Sequence, residues 1–380
     1  MTTQVLITGA RGFLGRNLAT HLSRRKDVRL LLFDRDDAEP TLVEAVSEAD
    51  VVFHLAGVNR PERVEQFEEG NAGFTTTLVD TIRASRRRPH VIFSSSIQAA
   101  LDNPYGASKR RAEQILLGFA DQTGTPVSIF RLKNVFGKWC RPNYNSVVAT
   151  FCHNIANNLP IQISDPDAWV DLVYVDDVVE ALVAEMDKQP VHGGVLVDLE
   201  AVRSHSIMLH DLAERIEYFR TMHETLSIPD LSERFNRQLC ATYLSYVPAD
   251  GWEYGAEIRR DDRGDLAELV KSPRFGQIFV SRTRPGVTRG NHYHDTKIEK
   301  FMVIAGQGTI LFRRIDQAEV IEFPVRGADY RIVDIPPGYT HSITNTGTTE
   351  MITLFWASEP FDHDRPDTYF LPVVIEQHVG

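Results

Sequence analysis

Two hydrophobic rhythms divide the chain. Up to about residue 247, the short apolar runs QVLITG, VRLLLFD, VVFHLAG, HVIFSSS and VSIFRL alternate with amphipathic stretches such as NLATHLSRRK and SKRRAEQILLGFADQTG. Strand–helix alternation of this kind predicts a parallel sheet covered by helices on both faces. WVDLVYVDDVVEALVAEMDK and IMLHDLAERIEYFRTMHETL keep helical spacing and are expected to close this domain. From about residue 258 the period shortens. FGQIFVSRTRPG, EKFMVIAGQGTILFRRI, AEVIEFPV, YRIVDIPPG, HSITNTG and EMITLFWAS read as close-set strands with Gly, Pro and Asn turns. They predict a small antiparallel barrel or jelly roll. The join is expected in SYVPADGWEYGAEIRRDDRG, which carries Pro, Gly and a cluster of charges. The expected order is an α/β domain over residues 1–247, then an all-β domain over 258–380.

Composition adds exclusions. At 42% apolar and 24% charged residues, the chain has the mix of a packed globular protein rather than a disordered one. No apolar run approaches the roughly 20 residues that span a bilayer, so no membrane insertion is expected. MTTQVLITGA enters strand-like sequence without the segments of a signal peptide. Cys140, Cys152 and Cys240 make no CxxC pair, which fits a reducing cytoplasm. The net charge of −11 argues against nucleic acid as a partner. Anionic ligands must therefore be handled in local pockets.

The first chemistry lies at the first strand–helix turn. Thr8-Gly9-Ala10-Arg11-Gly12-Phe13-Leu14-Gly15 follows one strand and opens a helix. Gly9, Gly12 and Gly15 permit a tight turn and close approach of backbone to a pyrophosphate, which then faces a positive helix end. With Phe13 and Leu14 they make a Rossmann-type dinucleotide site. About 20 residues on, Asp34 is placed to bond the ribose hydroxyl of NAD, and Arg35 to hold the 2′-phosphate of NADP. The residues alone leave NAD and NADP open.

Tyr105-Gly106-Ala107-Ser108-Lys109 puts a phenol and an ammonium one helical turn apart. A neighbouring ammonium favours phenolate, so Tyr105 is expected to have a lowered pKa and to serve as general acid or base for a carbonyl–alcohol couple. Ser94-Ser95-Ser96 ends the preceding strand and offers a hydroxyl to a substrate oxygen. In the second domain, His292 and His294 share a face if they lie on a strand, because the side-chain period there is two. With Glu299 and His341 they form a three-His, one-carboxylate set suited to zinc or another divalent ion, structural or catalytic.

On these residues, the first domain resembles the extended short-chain dehydrogenase/reductase family. That resemblance implies that Tyr105 donates the proton, that Lys109 orients the nicotinamide ribose, and that Ser96, with Ser95 as the second choice, polarises the carbonyl. It implies that Leu55 and Ala56, in the segment His54–Gly57, contact the cofactor, and it takes in Asn71 and the Arg131–Gly137 segment. FGKWCRPNYNSV would line a nucleotide-diphosphate pocket, with Arg141 a phosphate clamp.

The stretches Gly286–Gly306 and Pro336–Asn345 resemble the two cupin motifs, and Asp262-Arg263-Gly264, Glu268, Gln277 and Arg289–His292 are similar to the dTDP-4-dehydrorhamnose 3,5-epimerase group. In that group the residue at His292 is the proton-abstracting base, so base and metal ligand both stay open for it. Taken together, the chain resembles the family of bifunctional enzymes that form UDP-2-acetamido-2,6-dideoxy-L-talose for capsule or O-antigen. The resemblance implies that the cupin epimerises carbon 3 of a UDP-4-keto-6-deoxy-HexNAc and that the first domain reduces the carbon-4 ketone with NADPH, in a cytoplasmic homodimer. The chemistry is consistent: a carbon-4 ketone acidifies the carbon-3 hydrogen, and reduction afterwards locks the new configuration. Two other readings are a plain nucleotide-sugar reductase with a structural cupin, and a non-catalytic NADP sensor.

Overall fold

The computed structural model describes residues 2–197 and 202–375. They form two compact units, Met1–Glu217 with Gln238–Pro248, and Tyr218–Arg237 with Ala249–Gly380. The division is not a single cut. Residues 218–237 pack with the second unit because Leu226 and Ile228 bond the backbone of Lys271, at 2.8 and 3.0 Å.

In the first unit, β1 (Thr3–Thr8), β2 (Val28–Phe33), β3 (Val51–His54), β4 (His90–Ser96) and β5 (Val127–Leu132) join Gly194–Leu196 in one sheet, ordered β2-β1-β3-β4-β5 and then Gly194–Leu196. All neighbours run parallel. Alternate side chains serve opposite faces, as continuous apolar runs buried on both sides require. Leu6, Val52, Val91 and Phe93 pack with helices Phe74–Ser85 and Pro104–Thr123, whereas Val5, Ile7, Phe53 and Ile92 pack with Phe13–Leu22 and Val175–Met186. The order reverses between β1 and β3, so their carboxyl ends splay around a crevice, the usual ligand position in such sheets.

Helix Pro104–Thr123 has sharp ends. Asn103 accepts the Gly106 amide at 2.8 Å, Pro104 is the first helical residue, and Gly124 stops the helix at φ +69°. Residues 169–174 differ from expectation: Trp169–Tyr174 is a strand, paired with Asn134–Phe136 and Ser204–Met208, and the helix begins at Val175. Its burial alternates too little to distinguish the two periods over six residues.

The second unit holds two sheets. One runs Ile258–Asp261, Gly264–Ser272, Gly276–Thr283, Met351–Ala357, Glu299–Ala305, Ile332–Ile335; the other runs Val320–Arg326, Gln307–Arg314, Tyr339–Asn345, Thr288–Tyr293, Tyr369–Phe370. Every pairing among them is antiparallel. Ile258–Asp261 lies within the charged stretch expected as the join, because an exposed edge strand can carry charge. Arg259 and Arg260 pair with Glu268 and Asp265 of the adjacent strand, at 3.5 and 3.6 Å. Phe279, Phe355 and Phe301 stand in register across three strands, with ring centroids 4.7 and 4.5 Å apart. Phe301 also meets the His341 ring edge-on, at 5.7 Å between centroids.

Candidate active site and metal centre

In the first unit, the carboxyl ends of β1 to β5 open into a cleft of about 1270 Å³. Its lining includes every expected cofactor residue: Gly9, Gly12, Phe13, Leu14, Gly15, Asp34, Arg35, Leu55, Ala56 and Lys109. Gly9 sits at φ +71°, where a Cβ would meet Ala56 Cα at 2.8 Å; at Gly15 a Cβ would meet the Gly9 carbonyl at 2.1 Å. A side chain at Gly9 would push the turn away from the end of β3, and one at Gly15 would push the helix away from the turn. Gly12 caps helix Phe13–Leu22 without a side-chain bond, and no acidic residue stands in the first turn. The free amides there suit an anion.

Asp34 follows β2, and both its carboxylate oxygens accept backbone amides, from Arg11 at 2.8 Å and Arg35 at 2.9 Å. The Arg35 side chain is almost fully exposed and lies 3.5 Å from Asp36. Arg11, from inside the glycine turn, joins the same group through Asp36 at 3.6 Å and through Asp37. Cations outnumber carboxylates along the cleft, against the balance of the whole chain, with Arg16, Arg60, Lys133 and Arg141 on its walls. Arg141 stacks over the Tyr144 ring at 5.1 Å, and Tyr144 in turn holds Arg60, its hydroxyl accepting the Arg60 amide at 3.2 Å and its carbonyl the guanidinium at 2.8 Å.

Ser96, Tyr105 and Lys109 meet on one wall of this cleft. The Tyr105 pKa runs against expectation: burial pushes the phenol up to about 12, and the nearby Ser96 hydroxyl only partly offsets that. Lys109 does not offset it because its ammonium is turned elsewhere, bonding the Ser94 carbonyl at 3.1 Å and lying 4.9 Å over the Phe93 ring. Burial pulls Lys109 itself down to about 8, opposed by Glu113. Asn71 sits in a π-helical turn, Glu68–Gly73, and ties Ser108 at 2.9 Å to the Val58 carbonyl at 3.1 Å. It thereby fixes the Tyr105 helix against the end of β3. His54 faces away from the cleft, buried between the Thr8 and Thr75 hydroxyls at 2.9 Å each.

In the second unit, His292, His294, Glu299 and His341 converge, with one donor atom from each lying within 4.8 Å of the others. Glu299 Oε2 is 3.2 Å from His294 Nε2 and 3.4 Å from His341 Nε2. Strand alternation alone does not bring the histidines together. His294 lies just beyond Thr288–Tyr293, and the strand carries a bulge at Asn291, φ +59°. Burial, reinforced by His341, pulls the His292 imidazole down to about 4, and Glu299 is held at about 2 because the nearby His294 and His341 imidazoles outweigh its burial. His294 Nε2 and His341 Nε2 are buried without a hydrogen-bond partner. Orphaned imidazole nitrogens facing a carboxylate are the donor set a divalent ion takes, so these residues fit one.

Sequence reading did not single out Arg11 and Tyr144 within the segments it placed at the cleft, and it missed Arg60 and Glu113. Glu113 alone carried a signal, at helical spacing after Tyr105 and Lys109; it is buried, pairs bidentately with Arg131 at 2.6 and 2.9 Å, and accepts Ser95.

Residues 5–197 match the NAD dependent epimerase/dehydratase family, and residues 259–369 match a polysaccharide biosynthesis C-terminal domain. The chain is 44% identical over 366 residues to the UDP-2-acetamido-2,6-beta-L-arabino-hexul-4-ose reductase of Pseudomonas aeruginosa, covering 96% of this chain and 98% of that one. The crystal structure of the capsular polysaccharide assembling protein CapF from Staphylococcus aureus superposes with a TM-score of 0.89 at 42% identity, over 97% of this chain and all of that one. A UDP-N-acetylglucosamine 4-epimerase from Methanobrevibacter ruminantium, 20% identical with a TM-score of 0.53 over 65% of this chain, shares the fold alone.

Proposed function

The chain belongs to the NAD dependent epimerase/dehydratase family, and from that premise we propose that it is a bifunctional enzyme acting on a UDP-4-keto-6-deoxy-HexNAc in polysaccharide biosynthesis. The second unit, a cupin, epimerises carbon 3; the first reduces the carbon-4 ketone with NADPH to give UDP-2-acetamido-2,6-dideoxy-L-talose. The protein works as a homodimer in the cytoplasm. The carrying observation is the meeting of Ser96, Tyr105 and Lys109 beside the glycine turn in one cleft. The Pseudomonas relative, named for reduction of a 4-ulose, and CapF support the substrate class and the capsular setting.

In reduction, the Ser96 hydroxyl donates to the ketone oxygen and Tyr105, protonated throughout the neutral range, delivers the proton. Lys109, once its ammonium turns from the Ser94 carbonyl to the ribose hydroxyls, brings its positive charge toward the phenol and eases phenolate formation as the proton leaves. NADPH, when bound, supplies the hydride. In the second unit His292, His294, Glu299 and His341 would hold a divalent ion, zinc by donor type. Such an ion supplies Lewis-acid stabilisation of negative charge on oxygen. Without a bound ion the two buried Nε2 atoms would be left without a partner.

Incubation with the UDP-4-keto sugar in deuterium oxide, without NADPH, isolates the second unit. Deuterium should enter at carbon 3, and Tyr105→Phe should exchange at the wild-type rate. Exchange that persists in both His341→Ala and His292→Ala would move the epimerisation to the other unit and leave the cupin a scaffold.

A further inference from the structure

We propose that Asp367 is a positioning residue that sets two ligands of the His292–His294–Glu299–His341 cluster at once. The proposal rests on the metal reading above. Asp367 is 73 positions from His294, yet its carbonyl lies 2.6 Å from His294 Nδ1. A carbonyl can only accept, so Nδ1 carries a proton, and in the neutral ring the lone pair that a metal ion would take is then on Nε2, which lies 3.2 Å from Glu299. One bond therefore selects both the tautomer and the ring orientation that ligation needs.

The Asp367 carboxylate does the second task. It accepts the amides of Asp295 at 2.9 Å, Thr296 at 3.0 Å and Lys297 at 2.8 Å, and the Thr296 hydroxyl at 3.0 Å. With Ile298, those three residues are the whole connection from His294 to Glu299, which stand on different sheets or at their ends. Tying that turn fixes how the chain leaves one ligand and arrives at the next. The buried Lys297 binds the same segment, through the Pro366 carbonyl at 2.5 Å and the Thr368 hydroxyl at 3.3 Å. Directly after it, Phe370 pairs with His292.

Asp367 holds φ at +38°, a strained conformation for a non-glycine residue that survives only where its surroundings enforce it. Here the four bonds to the carboxylate enforce it. Glycine would keep the backbone and its carbonyl but delete the carboxylate, which separates the two tasks.

The test is zinc affinity of the full-length protein by competition with a chromogenic chelator, well below the melting temperature. Asp367→Ala should weaken zinc by about 10- to 100-fold, the usual range for losing a residue that orients a ligand. Asp367→Gly should lose less, and Asp367→Asn, which keeps one acceptor oxygen, least. NADPH affinity should not change in any of them. Asp367→Ala, or Asp367→Asn if the alanine variant fails to fold, binding zinc as tightly as wild type would overturn the assignment. Wild-type protein that retains no divalent ion would overturn the metal reading itself, and this inference with it.

Discussion

The Ser95 hydroxyl donates to a carboxylate oxygen of Glu113 at 2.6 Å, inside the protein, and Glu113 is in turn clamped by Arg131. Ser95 is thereby committed to the interior. Its neighbour Ser96, on the other side of the pleat, caps the following turn by accepting the Gln98 amide at 3.2 Å and lines the cleft with Tyr105. The two serines can be separated experimentally. Ser96→Ala should lower kcat by about 10- to 100-fold with little change in melting temperature. Ser95→Ala should destabilise by about 1–3 kcal/mol, since it leaves a buried acceptor short of a donor, with turnover per folded molecule retained. The reverse pattern, measured by kinetics and thermal unfolding together, would make Ser95 the polarising group.

Tyr105 and Lys109 predict the pH dependence of reduction. With the phenol at about 12 and the ammonium at about 8, Tyr105 stays protonated through the working range while Lys109 loses its charge above about pH 8. Reduction should therefore fall as pH rises through 8. Lys109→Arg should move that limb upward, because a guanidinium does not titrate there. Tyr105→Phe should cut turnover at least ~100-fold and leave cofactor affinity unchanged. A flat profile from pH 7 to 10 in wild type would sink the role given to Lys109.

These residues show what was legible in the chain. The glycine turn and the Tyr105–Lys109 pair are local, one turn of backbone each, so sequence spacing carries them directly. The apolar runs of β1 to β5 are likewise local signals. The Tyr105 pKa was not legible, because it depends on where the Lys109 ammonium points, and that is decided by Ser94 and Phe93 on another element. Asp367 left no signal at all. Its function comes from a contact across 73 positions, and nothing in RPDTYFLPV announces it. The excursion of residues 218–237 into the second unit was equally silent, since it rests on backbone bonds to Lys271 that any sequence can make.

Cofactor choice turns on the end of β2. Asp34 would repel a 2′-phosphate, but its oxygens already accept two amides, and Arg11 and Arg35 flank it. NADPH should show the lower KM. Arg35→Ala should raise the KM for NADPH several-fold while leaving that for NADH nearly unchanged, and Arg11→Ala should act in the same direction. A lower KM for NADH in wild type, with Arg35→Ala silent, would assign the site to NAD.

The metal centre makes a prediction about stability as well as content. Purified protein should carry about one divalent ion per chain, zinc by preference, and His341→Ala should carry far less. His341 is the cleaner test because it is fully buried and His292 has a second candidate role as base. An ion that binds the folded cluster and not the unfolded chain stabilises by RT ln(1 + [L]/Kd), about 4 kcal/mol at a thousandfold excess over Kd. Chelation should therefore lower the melting temperature of the second unit, and added zinc should restore it. The same chelator should leave His341→Ala unmoved, since that variant starts without the ion. Equal melting curves with and without chelator, in protein shown by elemental analysis to have lost its metal, would mean that the buried histidines and Glu299 hold together without it. The orphaned Nε2 atoms would then belong to a metal-free site in which His292 serves as the base.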